Sequence, residues 1–98
     1  ACISPKAYEA VLKNLKQLDI PYGFKLNAFK KIPDGYTVAS KDAWGNAGNP
    51  NTVLGTNTDL NETKFYEYVK KFMENGATIL GGCCEIRPSH IKEIAKLV

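Results

Sequence analysis

Ala77-Thr78-Ile79-Leu80-Gly81-Gly82-Cys83-Cys84, followed by Glu85-Ile86-Arg87-Pro88-Ser89-His90-Ile91, decides how the rest of the chain is read. Ala77 to Leu80 is a short apolar run closed by glycines, the pattern of a buried strand. Pro88 suits the first position of a helix, and Ile91, Ile94, Ala95 and Val98 recur on one side of it. Two cysteines therefore stand where a strand ends and before a helix begins.

Working back toward the N-terminus, a second helix runs from about Asn61 to Asn75. Asn61 is its expected cap and Gly76 its stop, with Phe65, Val69, Phe72 and Met73 as the apolar stripe. Tyr22 to Phe29 reads as a strand, with Phe24, Leu26 and Ala28 on one face and Gly23, Lys25, Asn27 and Phe29 on the other. Residues 4 to 18 read as a helix capped by Ser4, with Pro5 in its first turn and Tyr8, Val11, Leu12, Leu15 and Leu18 along one side. Between strand and second helix, residues 30–60 are rich in Gly, Asn, Pro and Asp. Only a short helical turn around Ser40 to Ala43 is expected there, and Trp44 is the one large anchor. A connection this long is more often functional than filler.

The order helix, strand, helix, strand, helix implies parallel strands joined by crossovers. Cys2 sits where another strand should end. Cys2, Asn27, Cys83 and Cys84 then share one edge of the sheet, the edge at which parallel α/β folds carry out chemistry.

Composition narrows the function. The chain has 98 residues, 44% of them apolar, and a net charge of +3. The lysines are dispersed, with doublets only at Lys30-Lys31 and Lys70-Lys71, and Arg87 is the single arginine. That distribution argues against a nucleic-acid surface. No apolar run approaches the roughly 20 residues of a membrane span, and the start shows no signal-peptide pattern. A soluble, cytoplasmic protein is expected. Three cysteines cannot all pair, and a bridge between neighbours such as Cys83 and Cys84 strains the backbone.

Two readings of the cysteines follow. In one they are reduced structural thiols in a non-catalytic α/β module that binds a metal or a partner. In the other, Cys2, Cys83 and Cys84 hold a zinc ion. A structural zinc site fills all four positions with protein, whereas three protein ligands leave one position for a substrate. Gly81 and Gly82 are expected to provide the turn that lets adjacent cysteines converge. His90, on the first turn of the last helix, reads as a local hydrogen-bonding residue. Glu85 and Arg87 read as a local ion pair. Trp44, Tyr36 and the loop asparagines either line a ligand pocket or pack the loop.

Gly81-Gly82-Cys83-Cys84 followed by Pro88-Ser89-His90-Ile91 resembles the end of the homocysteine S-methyltransferase family. Cys2-Ile3-Ser4-Pro5 is similar to that family's upstream cysteine and proline at a strand end, and Leu26-Asn27-Ala28 to its Pro-Asn-Ala/Ser stretch. The resemblance spans essentially the whole chain. It implies a (β/α)₈ TIM-type barrel of which residues 1–98 are the C-terminal segment, about the last three βα units, with 30–60 as a long loop at the catalytic face. It implies a zinc ion on Cys2, Cys83 and Cys84, homocysteine's sulfur in the open position, and methionine as product. Donors in the family include betaine, S-methylmethionine, S-adenosylmethionine and methylated folate. Asn27 is a candidate substrate-binding residue, with Gly81, Gly82 and Trp44 near the site. Ala1 stands where many members have asparagine, and Leu26 where they have proline. Glu85-Ile86-Arg87 replaces Gly-Thr-Thr, which leaves the cap before Pro88 open. Three barrel units alone are expected to expose a sizeable apolar inner surface. The segment alone is therefore expected to be inactive, and to pair with the N-terminal part of the barrel or with itself.

Overall fold

The computed structural model describes residues 2–30 and 54–98. Tyr36, the turn expected at Ser40 to Ala43, and Trp44 lie outside the described residues. Strand β1 (Cys2–Ile3), helix α1 (Pro5–Leu15), strand β2 (Lys25–Leu26), helix α2 (Glu62–Glu74) and helix α3 (Pro88–Ile94) follow in order, and a 3₁₀ turn covers Ala95–Leu97. The chain is α/β. β1 and β2 are parallel, with Cys2 opposite Lys25 and Ile3 opposite Leu26. An extended segment joins the other side of β2 through parallel bridges from Gly23 to Ile79 and from Leu26 to Gly82.

The caps explain the helix bounds. The Ser4 side chain accepts from the Ala7 N–H at 3.2 Å at the start of α1. That of Asn61 accepts from the Lys64 N–H at 2.9 Å at the start of α2. Gly76 ends α2 at φ 103°, a left-handed conformation that glycine adopts without strain. α1 is shorter than its apolar pattern suggests. It closes at Leu15, and Leu18 lies exposed beyond it, because Asp19 and the Ile20-Pro21 step disfavour another turn.

The core lies on one face of the sheet. Phe24, Leu26 and Ala28 pack there with Tyr8 and Leu12 of α1 and Phe65, Val69 and Phe72 of α2. Tyr8, Phe24 and Phe72 meet edge to face, with centroids 4.6 to 5.5 Å apart, a geometry that adds to simple burial. By the register, the other face carries Cys2, Gly23, Lys25, Asn27, Ile79 and Gly81. Its surroundings correct two expectations. Ala77 to Leu80 is not a buried strand: Ile79 is 58% exposed, because no helix of the described residues covers that side. Nor do the described residues of the bare face expose a sizeable apolar surface: Ile79 is the one large apolar residue exposed there, and Phe29, on the same face by alternation, is buried.

The end of the long connection has a structure that its composition did not suggest. Thr56 pairs antiparallel with Phe29. The Lys30 N–H donates to the Gly55 carbonyl at 3.0 Å and the Asn57 N–H to the Ala28 carbonyl at 2.7 Å. The connection thus returns to the C-terminal end of β2. No helix of the described residues is long and apolar enough to cross a membrane.

Candidate metal centre

β1 delivers Cys2 to the C-terminal edge of the sheet, and the extended segment after α2 delivers Cys83 and Cys84 to the same edge. The Cys83 N–H donates to the Leu26 carbonyl at 2.8 Å, and the Ala28 N–H to the Cys84 carbonyl at 2.9 Å, so both cysteines are fixed against β2. Adjacent residues on a strand point to opposite faces. Here the chain turns at once: the Ile86 N–H donates to the Cys83 carbonyl at 3.1 Å, closing a β-turn whose third residue, Glu85, has φ 64°.

That turn corrects the role expected of the glycines. Neither Gly81 nor Gly82 has a positive φ. Gly82 is required by packing, because a Cβ there would stand 2.4 Å from Ile86 Cγ2. A Cβ on Gly81 would make only ordinary contact, 3.6 Å from the Phe24 carbonyl oxygen. The strained position is Glu85, a non-glycine residue in left-handed space. It is held by its carboxylate: Thr56 Oγ1 donates to Oε2 at 2.7 Å, and Arg87 Nη2 lies 3.3 Å from the same oxygen. The Glu85–Arg87 pair is as expected from sequence. The Thr56 contact is not, because nothing in the loop's composition announces it.

The consequence is a cluster. The sulfurs of Cys2, Cys83 and Cys84 all lie within 4.8 Å of one another, with Cys83 and Cys84 3.8 Å apart. All three are free thiols, Cys2 exposed and the other two half-buried. A tetrahedral site with metal–sulfur bonds of about 2.3 Å has sulfur–sulfur edges of about 3.8 Å. One edge of the cluster already has that length, and three soft sulfur donors suit zinc.

The thiols differ in acidity. Burial pushes the Cys2 thiol up, but hydrogen bonds from Cys83, the Cys84 backbone, Asn27 and Cys84 outweigh it and hold it below the ordinary 9.0. Burial pushes Cys84 up to about 11, aided by its hydrogen bond with Cys83 and the charges of the other two sulfurs. Such mutual influence is what three acids in one small space produce.

Asn27 is only 1% exposed. Its Nδ2 donates to Cys2 Sγ at 3.5 Å, and its Oδ1 accepts from the Phe29 N–H at 3.3 Å. Cys2 and Asn27 also line a 790 Å³ cavity, together with Ser4, Lys6, Lys30, Asp59 and Lys64 among others. His90 takes the structural role expected of it. Its Nδ1 accepts from the Arg87 N–H at 3.0 Å, and its Nε2 lies 3.0 Å from the Leu60 carbonyl. The ring is therefore a neutral tautomer that donates from Nε2. It supplies the hydrogen-bonding side chain at the start of α3 that the sequence left open.

The class of protein defined so far is a parallel α/β layer with three free thiols gathered at one edge of the sheet. The profile of the family described as homocysteine S-methyltransferase matches residues 1–98, and the chain belongs to that family. It is similar to a selenocysteine methyltransferase of Astragalus bisulcatus, 39% identical over 44 residues, which are 45% of this chain and 13% of that protein. Homocysteine S-methyltransferase 1 of Saccharomyces cerevisiae is 60% identical over 30 residues, 31% of this chain and 9% of that protein. Homocysteine S-methyltransferase 2 of Arabidopsis thaliana is 42% identical over 40 residues, 41% of this chain and 12% of that protein. The matched stretches are thus a small part of each relative's length. No solved structure matches the chain.

Proposed function

We propose that the chain forms the zinc-binding end of an enzyme that transfers a methyl group from a small-molecule donor to the thiol of homocysteine, giving methionine. The observation that carries this reading is the meeting of Cys2, Cys83 and Cys84 sulfurs within 4.8 Å at one sheet edge. Cys2, Cys83 and Cys84 would hold the metal. The chemistry a zinc ion would supply there is to favour the thiolate form of the acceptor's sulfur near neutral pH. The chain's own part is to hold the three sulfurs together, to keep the edge of β2 rigid beneath them, and to leave Cys2 accessible from the cavity.

The fold reading is the C-terminal segment of a (β/α)₈ barrel, in which the bare face of the sheet becomes the inner wall. A parallel sheet is normally covered on both faces, and here helices cover one. The uncovered face of small and polar residues supports a second layer of strands closing over it. Homocysteine and a methyl donor are the proposed ligands, in a cytoplasmic setting. Two relatives named for selenocysteine support a second reading of the acceptor, in which a selenol takes the place of the thiol.

Metal analysis tests the site. One zinc per chain is expected, lost on Cys2→Ser, Cys83→Ser or Cys84→Ser. A metal-free protein whose three thiols remain inert would refute it and favour a non-catalytic module. The complete protein, assayed with homocysteine and with selenocysteine against betaine, S-methylmethionine, S-adenosylmethionine and methylated folate, then identifies acceptor and donor. This chain alone is expected to give no methionine.

A further inference from the structure

The end of the long connection and the cysteine turn are joined by two separate routes. One runs through the backbone: the Asn57 N–H donates to the Ala28 carbonyl at 2.7 Å, and the Ala28 N–H to the Cys84 carbonyl at 2.9 Å. The other runs through side chains, where Thr56 Oγ1 donates to Glu85 Oε2 at 2.7 Å. Thr56 and Asn57 are thus tied to Cys84 and Glu85 twice over.

The side-chain route restrains the turn itself. Glu85 stands at φ 64°, which a residue with a Cβ keeps only when its surroundings hold it there. Its side chain is 7% exposed, and a carboxylate so placed needs donors. Arg87 supplies one, but its side chain is 68% exposed, so that contact is screened by solvent. Thr56 supplies the shorter. Glu85 follows Cys84 directly, and the turn closes on the Cys83 carbonyl through the Ile86 N–H at 3.1 Å. Releasing the carboxylate lets the turn relax, and the 3.8 Å separation of the Cys83 and Cys84 sulfurs relaxes with it.

We propose that Thr56 and Glu85 are positioning residues that clamp the end of the long connection to the cysteine pair, so that zinc binding and the docking of residues 54–57 against β2 strengthen each other. This rests on the zinc-thiolate reading of the site. The coupling is reciprocal by linkage: whatever docking adds to zinc affinity, zinc adds to docking. Anything that holds residues 54–57 in place therefore also tightens the metal site.

Thr56→Val, which removes the hydroxyl and keeps the shape, tests this. In the unaltered chain zinc is expected to slow hydrogen exchange at the Lys30 and Asn57 amides, whose N–H groups donate to the Gly55 and Ala28 carbonyls. In Thr56→Val the zinc affinity, read by competition with a chromophoric chelator, is expected to fall about fivefold, the scale of one hydrogen bond. The zinc-induced slowing is expected to disappear with it. Thr56→Ser, which restores the hydroxyl, is expected to recover both. Glu85→Gly keeps the turn without the clamp, and on that background Thr56→Val is expected to change zinc affinity no further. Unchanged affinity and slowing in Thr56→Val, or an equal loss on the Glu85→Gly background, would overturn the proposal. If the chain binds no metal, the zinc reading fails, and phenylarsine oxide, which bridges two neighbouring thiols with loss of water, decides the clamp on its own. Its affinity for the metal-free Cys2→Ser chain falls on adding Thr56→Val if the clamp holds the sulfur pair, and an unchanged affinity overturns the clamp.

Discussion

On the helix side of the sheet, Phe24, Leu26 and Ala28 are closed over by α1 and α2, with three aromatic rings locked edge to face. On the opposite side, the same strands present Cys2, Gly23, Lys25 and Ile79 with no covering element among the described residues. The backbone is common to both, so the difference lies in the side chains. One face carries the buried core of the described residues; the other leaves Lys25 and Ile79 exposed. Substituting a large apolar residue on each side is the most forceful way to break the contrast. Phe72→Ala, at a fully buried position, is expected to cost about 3–5 kcal/mol, read as a fall in the urea midpoint. Ile79→Ala in this chain is expected to stay within about 0.5 kcal/mol. In a longer protein in which a second layer covers the face, the same Ile79 change is expected to cost about 2 kcal/mol or more. A large Ile79 effect in the chain alone would remove the distinction.

The two glycines of the bare face separate backbone approach from mere smallness. A Cβ on Gly23 would stand 1.8 Å from the Ile79 carbonyl oxygen, inside the parallel bridge itself. Gly23→Ala is therefore expected to cost about 1–3 kcal/mol by forcing β2 away from the cysteine-bearing segment. Gly81→Ala meets only ordinary contacts and is expected to cost less than about 1 kcal/mol. Thiol–thiol crosslinking yields between Cys2 and Cys83 should fall in the first variant and hold in the second.

A smaller effect, of opposite sign, is expected inside the covered face. Tyr8 is 2% exposed, and its hydroxyl has no hydrogen-bond partner among the described residues. An unpaired buried hydroxyl costs free energy, so Tyr8→Phe is expected to gain about 1 kcal/mol. Burial raises the phenol above its ordinary 10.0, with the nearby Tyr22 charge adding to it. Above pH 10.0 the unfolded chain ionises at Tyr8 while the folded chain does not. The stability tied to this group is therefore present at lower pH and lost as pH rises past that value. The phenylalanine variant should show a shallower fall in melting temperature on the alkaline side.

How much of this could be read in the sequence follows from the range of the forces involved. The α2 stripe of Phe65, Val69 and Phe72, its Asn61 cap and its Gly76 stop are local periodicity and capping, and they hold as read. The convergence of Cys2 with Cys83 and Cys84 was legible through strand order, because parallel strands align their C-terminal ends. The turn that brings Cys84 beside Cys83 was assigned to the glycines, where a positive φ is easy. It lies instead at Glu85, held by Thr56 from a distant part of the chain, and no local rule identifies a strained glutamate whose restraint is tertiary. Asn27 was read as facing a ligand. Its 3.5 Å contact with Cys2 depends on the register between β1 and β2, which pattern alone does not give.

The smallest expected effect concerns the layer outside both faces. Ser89 Oγ donates to Glu62 Oε1 at 2.7 Å and ties the first turn of α3 to that of α2. The hydrogen bond from Ser89, with that from the Glu62 backbone, holds the carboxyl below its ordinary 4.5 against a slight opposing effect of burial. The sign follows from linkage: a depressed carboxyl contributes stability above its unfolded value, and loses it as pH falls through the folded value. The window is therefore below pH 4.5. Ser89→Ala is expected to raise the Glu62 titration midpoint measured by carbon NMR and to leave the neutral-pH melting temperature nearly unchanged, because the pair is solvent-screened. A drop at neutral pH comparable to that of Phe72→Ala would mean that this polar latch, rather than the aromatic cluster, joins the helices to the sheet.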